Sequence, residues 1–240
     1  MKSSLISFSL AYAFTKVREF PHLTQRSGSI TLPGFGARTV PAARETPGLN
    51  TSARDGFALV TDPEGEAAER YREFIDEILG RAWPLKRMLI TSPGCGEGKT
   101  LTSVNLALAL AERGLTVFLI ELTLTRPRYR YVFGAPDSLR GIESVLSGEA
   151  APEEAALQLG DTRIAVCSVA NAMGNNDLLT RSENLQRLIR HGESTCDWIV
   201  LDAPAIGSCD AVKELASEAG PVVMVARSLK TRLEVFRKAA

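Results

Sequence analysis

Apolar residues along this chain fall into short unbroken runs, separated by stretches in which they recur at helical spacing. The runs at 87–92, 116–121, 163–169, 197–202 and 221–226 predict strands. Two of them, Val117-Phe118-Leu119-Ile120 and Trp198-Ile199-Val200-Leu201, show no polar alternation. Strands buried on both faces read this way. Between them, helical patterns cover 101–113, 139–147, 152–159, 180–192, 209–219 and 229–239. An acidic amphipathic stretch from Pro63 to Arg81 precedes the first strand. Its apolar face is Tyr71, Phe74, Ile75, Ile78 and Leu79, and Trp83-Pro84 ends it. Strand and helix in alternation predict an α/β fold: a mostly parallel sheet with helices on both faces and a ligand at the carboxyl ends of the strands. Residues 1–64 lack apolar periodicity and are rich in Ser, Thr, Gly and Pro, which predicts a flexible N-terminal arm with a short ordered piece at Phe57–Val60. Residues 65–240 form the domain.

Composition narrows the partners. Lysine plus arginine equals aspartate plus glutamate, 28 of each, so bulk electrostatics do not point to nucleic acid. Basic residues cluster locally at Arg126, Arg128 and Arg130, and at Lys230, Arg232, Arg237 and Lys238. The four cysteines have no metal-ligand spacing, which fits reduced thiols in the cytoplasm. No apolar run approaches 18 residues, so no membrane span is expected. The stretch from Met1 to Phe14 faintly resembles a secretory signal, but serines interrupt it.

The chemistry enters between the first strand and the helix at 101–113. Ser92-Pro93-Gly94-Cys95-Gly96-Glu97-Gly98-Lys99-Thr100 joins them, and strand, glycine-rich turn, Gly-Lys-Thr and helix together make a phosphate-binding loop. Glycines let successive N–H groups face a polyphosphate, and the helix N-terminus adds partial positive charge. Lys99 can reach the β and γ oxygens, while the Thr100 hydroxyl can ligate Mg²⁺. Cys95 lies inside the loop and reads as a small turn residue, with redox control the alternative. Downstream, Asp202 ends the buried strand at 197–202, where a Walker B carboxylate stands near Mg²⁺.

From about Glu66 to Ala240 the chain resembles the cytoplasmic module of bacterial tyrosine kinases, the BY-kinases, P-loop relatives of MinD and ParA. The resemblance rests on Ile90-Thr91-Ser92-Pro93, Arg126-Pro127 with Phe133-Gly134, and Gly141-Ile142 with Val145-Leu146-Ser147-Gly148. It continues through Asn176-Asp177-Leu178-Leu179, Asp210-Ala211 and Val225-Ala226-Arg227. Gly94 stands where the MinD/ParA branch carries an extra lysine, which favours the kinase branch. The resemblance implies ATP and Mg²⁺ as ligands, with Gly94, Cys95, Gly96, Glu97, Gly98, Lys99, Thr100, Leu101 and Arg227 contacting the nucleotide. It implies Thr100, Glu121 and Asp202 around the metal, and Lys99, Glu121 and Asp202 as catalytic groups. It also implies a polysaccharide co-polymerase in the membrane as partner, and a place at the inner face of the plasma membrane.

The chain departs from that pattern in three places. The family's Asp-x-Asp reads Glu121-Leu122-Thr123 here, so one carboxylate is longer by a methylene and the other is gone. A lost general base typically lowers a rate by about 10²–10⁴. The family's tail tyrosines have no counterpart, since only Tyr12, Tyr71, Tyr129 and Tyr131 occur. In the Glu-x-x-Arg-x-x-Arg helix that makes subunit contacts, Glu69 and Arg72 match but Ile75 replaces the last arginine. A homo-oligomer through the Glu69/Arg72 helix is therefore expected to differ from the family's ring. The resulting expectation is an ATP-binding regulator of polysaccharide synthesis or export with weak or lost kinase activity. Two alternatives stand beside it: an active autokinase or ATPase accepting phosphate on Tyr129 or Tyr131, and a ParA-like positioning ATPase using the basic last helix.

Overall fold

The computed structural model describes residues 57–180 and 183–239, together with the backbone of the short strand at 6–8. The arm expected over 1–64 otherwise lies outside the described residues up to Phe57. In chain order the elements are β1 (Ile6–Phe8), α1 (Ala58–Thr61), α2 (Glu66–Leu79), β2 (Arg87–Thr91) and α3 (Lys99–Glu112). β3 (Val117–Glu121), α4 (Tyr129–Phe133), α5 (Ile142–Leu146), β4 (Ala156–Gln158) and β5 (Ile164–Cys167) follow. The last are α6 (Glu183–Thr195), β6 (Trp198–Asp202), α7 (Asp210–Glu218), β7 (Val222–Val225) and α8 (Leu233–Ala239).

One sheet carries them in the order β1-β7-β2-β6-β3-β5-β4. Every pairing is parallel except β4 with β5. This is the α/β architecture with a mostly parallel sheet that the apolar runs predict, and the glycine-rich loop joins β2 to α3 within it. Successive side chains of a strand face opposite ways, and the strands here feed two separate cores. Val117, Leu119, Met88, Ile90, Trp198 and Val200 join a cluster with α2 and α3. Their chain neighbours Phe118, Ile120, Leu89, Ile199 and Leu201 join another with α5, α6 and α7. Helices thus cover both faces, and the strand ends that hold the site are fixed from above and below. On the α6 side the approach is close. A Cβ on Gly192 would lie 2.7 Å from Phe118 Cδ1 and 2.9 Å from Ile199 Cδ1, so only glycine lets that helix lie so near the sheet.

Helix α2 packs by its expected face: Tyr71, Phe74, Ile75 and Ile78 are buried and Leu79 is partly so. Glu66 and Glu69 in its first turn suit the helix dipole. Trp83 helps end it by a different means from the one expected, its indole N–H donating at 2.8 Å to the Ile78 carbonyl, which also accepts from the Arg81 N–H at 3.2 Å. Phe57, Leu59 and Val60 are buried against the same cluster.

Two predicted helices are corrected. The stretch 152–159 is a 3-10 turn at Pro152–Glu154 followed by strand β4. Its alanines, leucines and glutamates favour a helix by propensity. The Glu154 carboxylate, however, folds back onto the Ala151 N–H at 2.9 Å, and pairing with β5 takes the apolar remainder. Tertiary pairing outweighs weak local preference here. The helix expected from 229 begins only at Leu233, because Arg227 to Thr231 form a turn. In it the N–H groups of Lys230 and Thr231 both donate to the Arg227 carbonyl.

Candidate functional site

The glycine-rich loop leaves the carboxyl end of β2 and enters α3 directly. Gly96 and Gly98 have φ of +75° and +99°, values that L side chains rarely adopt. The second of these is the N-cap of α3 and needs that conformation to turn the chain from loop to helix. Lys99 Nζ crosses the loop, 2.9 Å from Ser92 Oγ and 3.5 Å from the Gly94 carbonyl, while Ser92 Oγ donates to that carbonyl at 2.5 Å. The buried Ser92 thus holds the lysine over the loop's concave side.

The floor is stitched to the neighbouring strands. Thr91 Oγ1 donates to the Pro204 carbonyl at 2.7 Å, the Ile206 N–H to the Ser92 carbonyl, and the Leu122 N–H to the Asp202 carbonyl. These bonds bring the ends of β2, β6 and β3 to one place, and with them Lys99, Thr100, Asp202 and Glu121.

Asp202 and Glu121 face each other across the β3–β6 pairing and differ in their bonding. Asp202 is fully buried, and neither carboxylate oxygen has a hydrogen-bond partner. Burial pushes its pKa up to about 6, against the pull of Thr100, Lys99, Tyr129 and Ser103. Those groups act by proximity, since none meets hydrogen-bond geometry with the carboxylate. Buried unpaired carboxylate oxygens are costly. An oxygen-seeking divalent cation, beside the Thr100 hydroxyl, is the group that would satisfy them. The residues fit Mg²⁺ on this ground. Among the described residues no group of three or more His, Cys, Asp or Glu could hold a metal by itself.

Glu121 is equally buried but fully engaged. Its Oε1 accepts from the Arg128 N–H and, at 3.1 Å, from the Tyr129 N–H at the start of α4. Its Oε2 accepts from the Val169 N–H at 3.1 Å beyond β5. Burial, first, and Asp202 push its pKa up to about 7, while the three N–H groups oppose the rise. Each oxygen is already directed at backbone donors.

Thr123, where a second carboxylate was looked for, is half-buried and offers only a hydroxyl. Of the two candidate acceptors, Tyr129 is completely buried, with its hydroxyl 2.8 Å from Ser103 Oγ. No kinase can reach it in this fold, which removes it from the acceptor reading. Tyr131 is 56% exposed.

Beside the loop a cleft of about 180 Å³ opens between α2, α3 and β7. Gly96, Glu97, Gly98, Leu101 and Arg227 line it, five of the residues predicted to contact a nucleotide. Sequence reasoning assigned Tyr71 and Phe74 to packing alone, yet they wall the same cleft. Their helical spacing signals a buried face but not what that face borders. Thr231 was also missed. Its hydroxyl accepts from the Arg227 N–H at 2.8 Å and donates to Glu97 Oε1 at 3.0 Å, tying the loop to the turn after β7. No pattern of residue types announces that contact across 134 positions. Gly94 and the exposed Cys95 complete the loop.

Arg72, expected at a subunit interface, is engaged within the chain. Its guanidinium donates to both Glu112 oxygens at 2.7 and 3.1 Å and to the Pro63 carbonyl at 2.7 Å, with Glu69 at 3.6 Å. Among the described residues no helix is long and apolar enough to cross a membrane.

No family model matches the chain. In sequence it is 28% identical over 182 residues to the tyrosine-protein kinase YwqD of Bacillus subtilis, covering 75% of this chain and 76% of that one. In structure it is similar to the kinase domain of the Escherichia coli tyrosine kinase ETK, with a TM-score of 0.71 at 19% identity over 87% and 80% of the two chains. A more distant likeness in fold is the cobyrinic acid a,c-diamide synthase of Mycobacterium smegmatis, solved with an ATP analog and magnesium (TM-score 0.53, 20% identity, 64% of each chain).

Proposed function

From the kinship of this chain with bacterial tyrosine-protein kinases, we propose that it is an ATP-binding, cytoplasmic subunit of the BY-kinase type whose phosphoryl transfer is weak or lost. It would sit peripherally at the inner face of the plasma membrane, docked on a polysaccharide co-polymerase, and regulate polymer synthesis or export by its nucleotide state. The observation that carries this reading is the contrast between two buried carboxylates. Asp202 is left open beside an intact phosphate loop, while Glu121 accepts from three backbone N–H groups and Thr123 supplies no charge.

In this reading the loop N–H groups and Lys99 hold the phosphates, and the base lies in the cleft between Leu101, Tyr71, Phe74 and Arg227. Thr100 and Asp202 hold Mg²⁺, which would neutralise charge on the phosphate oxygens. Binding is thereby well provided for. With Asp202 given to the metal, transfer has no further free carboxylate to take the proton of an attacking hydroxyl, a loss of about 10²–10⁴ in rate. The second reading, an active autokinase, is favoured only by the exposure of Tyr131.

Binding and turnover measured on one purified sample separate these readings. The expected result is Mg²⁺-dependent ATP binding without appreciable turnover, with binding abolished in Lys99→Met and turnover gained in Thr123→Asp. Phosphotyrosine on Tyr131 after incubation with Mg-ATP, absent in Lys99→Met, would establish the active kinase instead.

A further inference from the structure

The cleft assigned to the base has walls from distant parts of the chain. Tyr71, Phe74 and Leu101 belong to α2 and α3, whereas Arg227 stands on the turn that follows β7. Glu97 brings the phosphate loop into the same lining.

Hydrogen bonds rather than burial shape the Arg227 turn. The Arg227 carbonyl accepts from the N–H groups of Lys230 and Thr231, and its own N–H donates to Thr231 Oγ1 at 2.8 Å. Leu229, at the tip, has φ of +60°, in the left-handed region that a leucine rarely occupies, and is fully exposed. It therefore gains no packing in return for that conformation. Strained backbone of this kind persists only where surrounding bonds impose it, and it gathers at ligand sites.

Those bonds are anchored on the phosphate loop. A backbone N–H only donates, so the Thr231 hydroxyl accepts from Arg227 and keeps its single proton for Glu97 Oε1, 3.0 Å away and 134 positions earlier. Glu97 Oε2 is buried and has no partner, so among the described residues Thr231 supplies the one donor of this carboxylate. The carboxylate also lies back against its own loop, with Oε1 3.4 Å from where a Cβ on Gly94 would stand. A shift of the loop is thus a shift of the anchor of Thr231.

We propose that Thr231, acting through Glu97, is a positioning residue for the nucleoside half of the ligand: it sets the Arg227 turn at the distance from the phosphate loop at which one nucleotide spans both. This deepens the nucleotide reading above and rests on it. The triphosphate itself is held by the loop N–H groups and Lys99 and does not need the tie.

Displacement of a fluorescent ATP analogue from the intact chain in Mg²⁺, by ATP and separately by inorganic tripolyphosphate, tests this. Thr231→Val keeps the side chain's shape and removes the hydroxyl. Its affinity for ATP is expected to fall about tenfold, the worth of a hydrogen bond to a charged group, with that for tripolyphosphate unchanged. Thr231→Ser, which keeps the hydroxyl, is expected to bind ATP as the wild type does. Glu97→Ala removes the other end of the tie, and adding Thr231→Val to it is expected to cost no further ATP affinity. Unchanged ATP affinity in Thr231→Val would overturn the proposal. So would an equal loss toward ATP and tripolyphosphate, or a loss that Thr231→Ser shares. Where tripolyphosphate displaces the analogue from no variant, the loss in Thr231→Val and its recovery in Thr231→Ser decide alone. If the wild-type chain binds tripolyphosphate as tightly as ATP, this inference falls while the phosphate-loop reading stands. If it binds neither, both fall.

Discussion

Replacing Asp202 by asparagine should make the metal-free protein more stable while removing its response to Mg²⁺. The carboxylate is buried without partners, and its pKa rises from 3.8 to about 6, burial being the main cause. At about 1.4 kcal/mol for each tenfold change, holding it charged above pH 6 costs the fold roughly 3 kcal/mol. The sign follows from proton counting. Between pH 3.8 and 6 the native protein binds more protons than the unfolded chain, so this group's contribution to stability declines as pH rises through that window and is fully unfavourable above it. Asparagine removes the charge but leaves a buried amide, which costs about 1–3 kcal/mol of its own. The net gain at pH 8 is therefore only about 1 kcal/mol, a rise in Tm of roughly 2–4 °C for a chain of this size. The difference between pH values is the sharper quantity, because the amide's cost cancels from it. The same proton-linkage relation makes Asp202→Asn about 2 kcal/mol more favourable, relative to wild type, at pH 8 than at pH 4.5. Besides burial, Asp202 helps raise the pKa of Glu121, so its removal eases the ionisation of Glu121 and adds to the difference in the same direction. Urea unfolding in EDTA at the two pH values measures this directly. A variant that is less stable than wild type by the same amount at both would refute the argument that Asp202 is an uncompensated charge kept for a ligand. In the presence of Mg²⁺ and nucleotide the wild type should gain in melting temperature, and the variant should lose the Mg²⁺-dependent part of that gain.

Two further substitutions probe the scaffold that holds the site. Glu121→Gln turns one acceptor into a donor facing the N–H of Val169 or those of Arg128 and Tyr129. A loss of about 2–4 kcal/mol in urea is expected, with faster hydrogen exchange at Tyr129 and Val169, and a neutral result would show that the three bonds do not support α4. Gly192→Ala places a methyl group against Phe118 and Ile199 and should cost about 1–3 kcal/mol without changing nucleotide affinity, so a more stable variant would contradict the close approach of α6.

Much of the sheet was legible because its strands are buried on both faces. The run Val117-Phe118-Leu119-Ile120 has no room for a polar residue when one neighbour faces the α3 side and the next faces α6. The phosphate loop was legible for another reason: positive φ at Gly96 and Gly98 and an amine at Lys99 are demands on residue type at fixed spacing. What could not be read is the direction in which a carboxylate points. Glu121 and Asp202 look alike on paper, each ending an apolar strand, yet one accepts three backbone bonds and the other none. That difference depends on where the Arg128 and Val169 backbones arrive, 7 and 48 positions away. Strand β4 was missed because three residues are too few to show a period, and their identity favours a helix when pairing is ignored.

The brevity and reversed direction of β4 bear on how copies of this protein meet. A parallel sheet that ended on β5 would present a full row of free N–H and C=O groups, open to any extended segment. With Ala156–Gln158 laid antiparallel over that row, this flank offers a visiting strand only a three-residue template. Accretion of chains edge to edge is thereby discouraged on this side of the sheet, and association there would have to proceed through side chains.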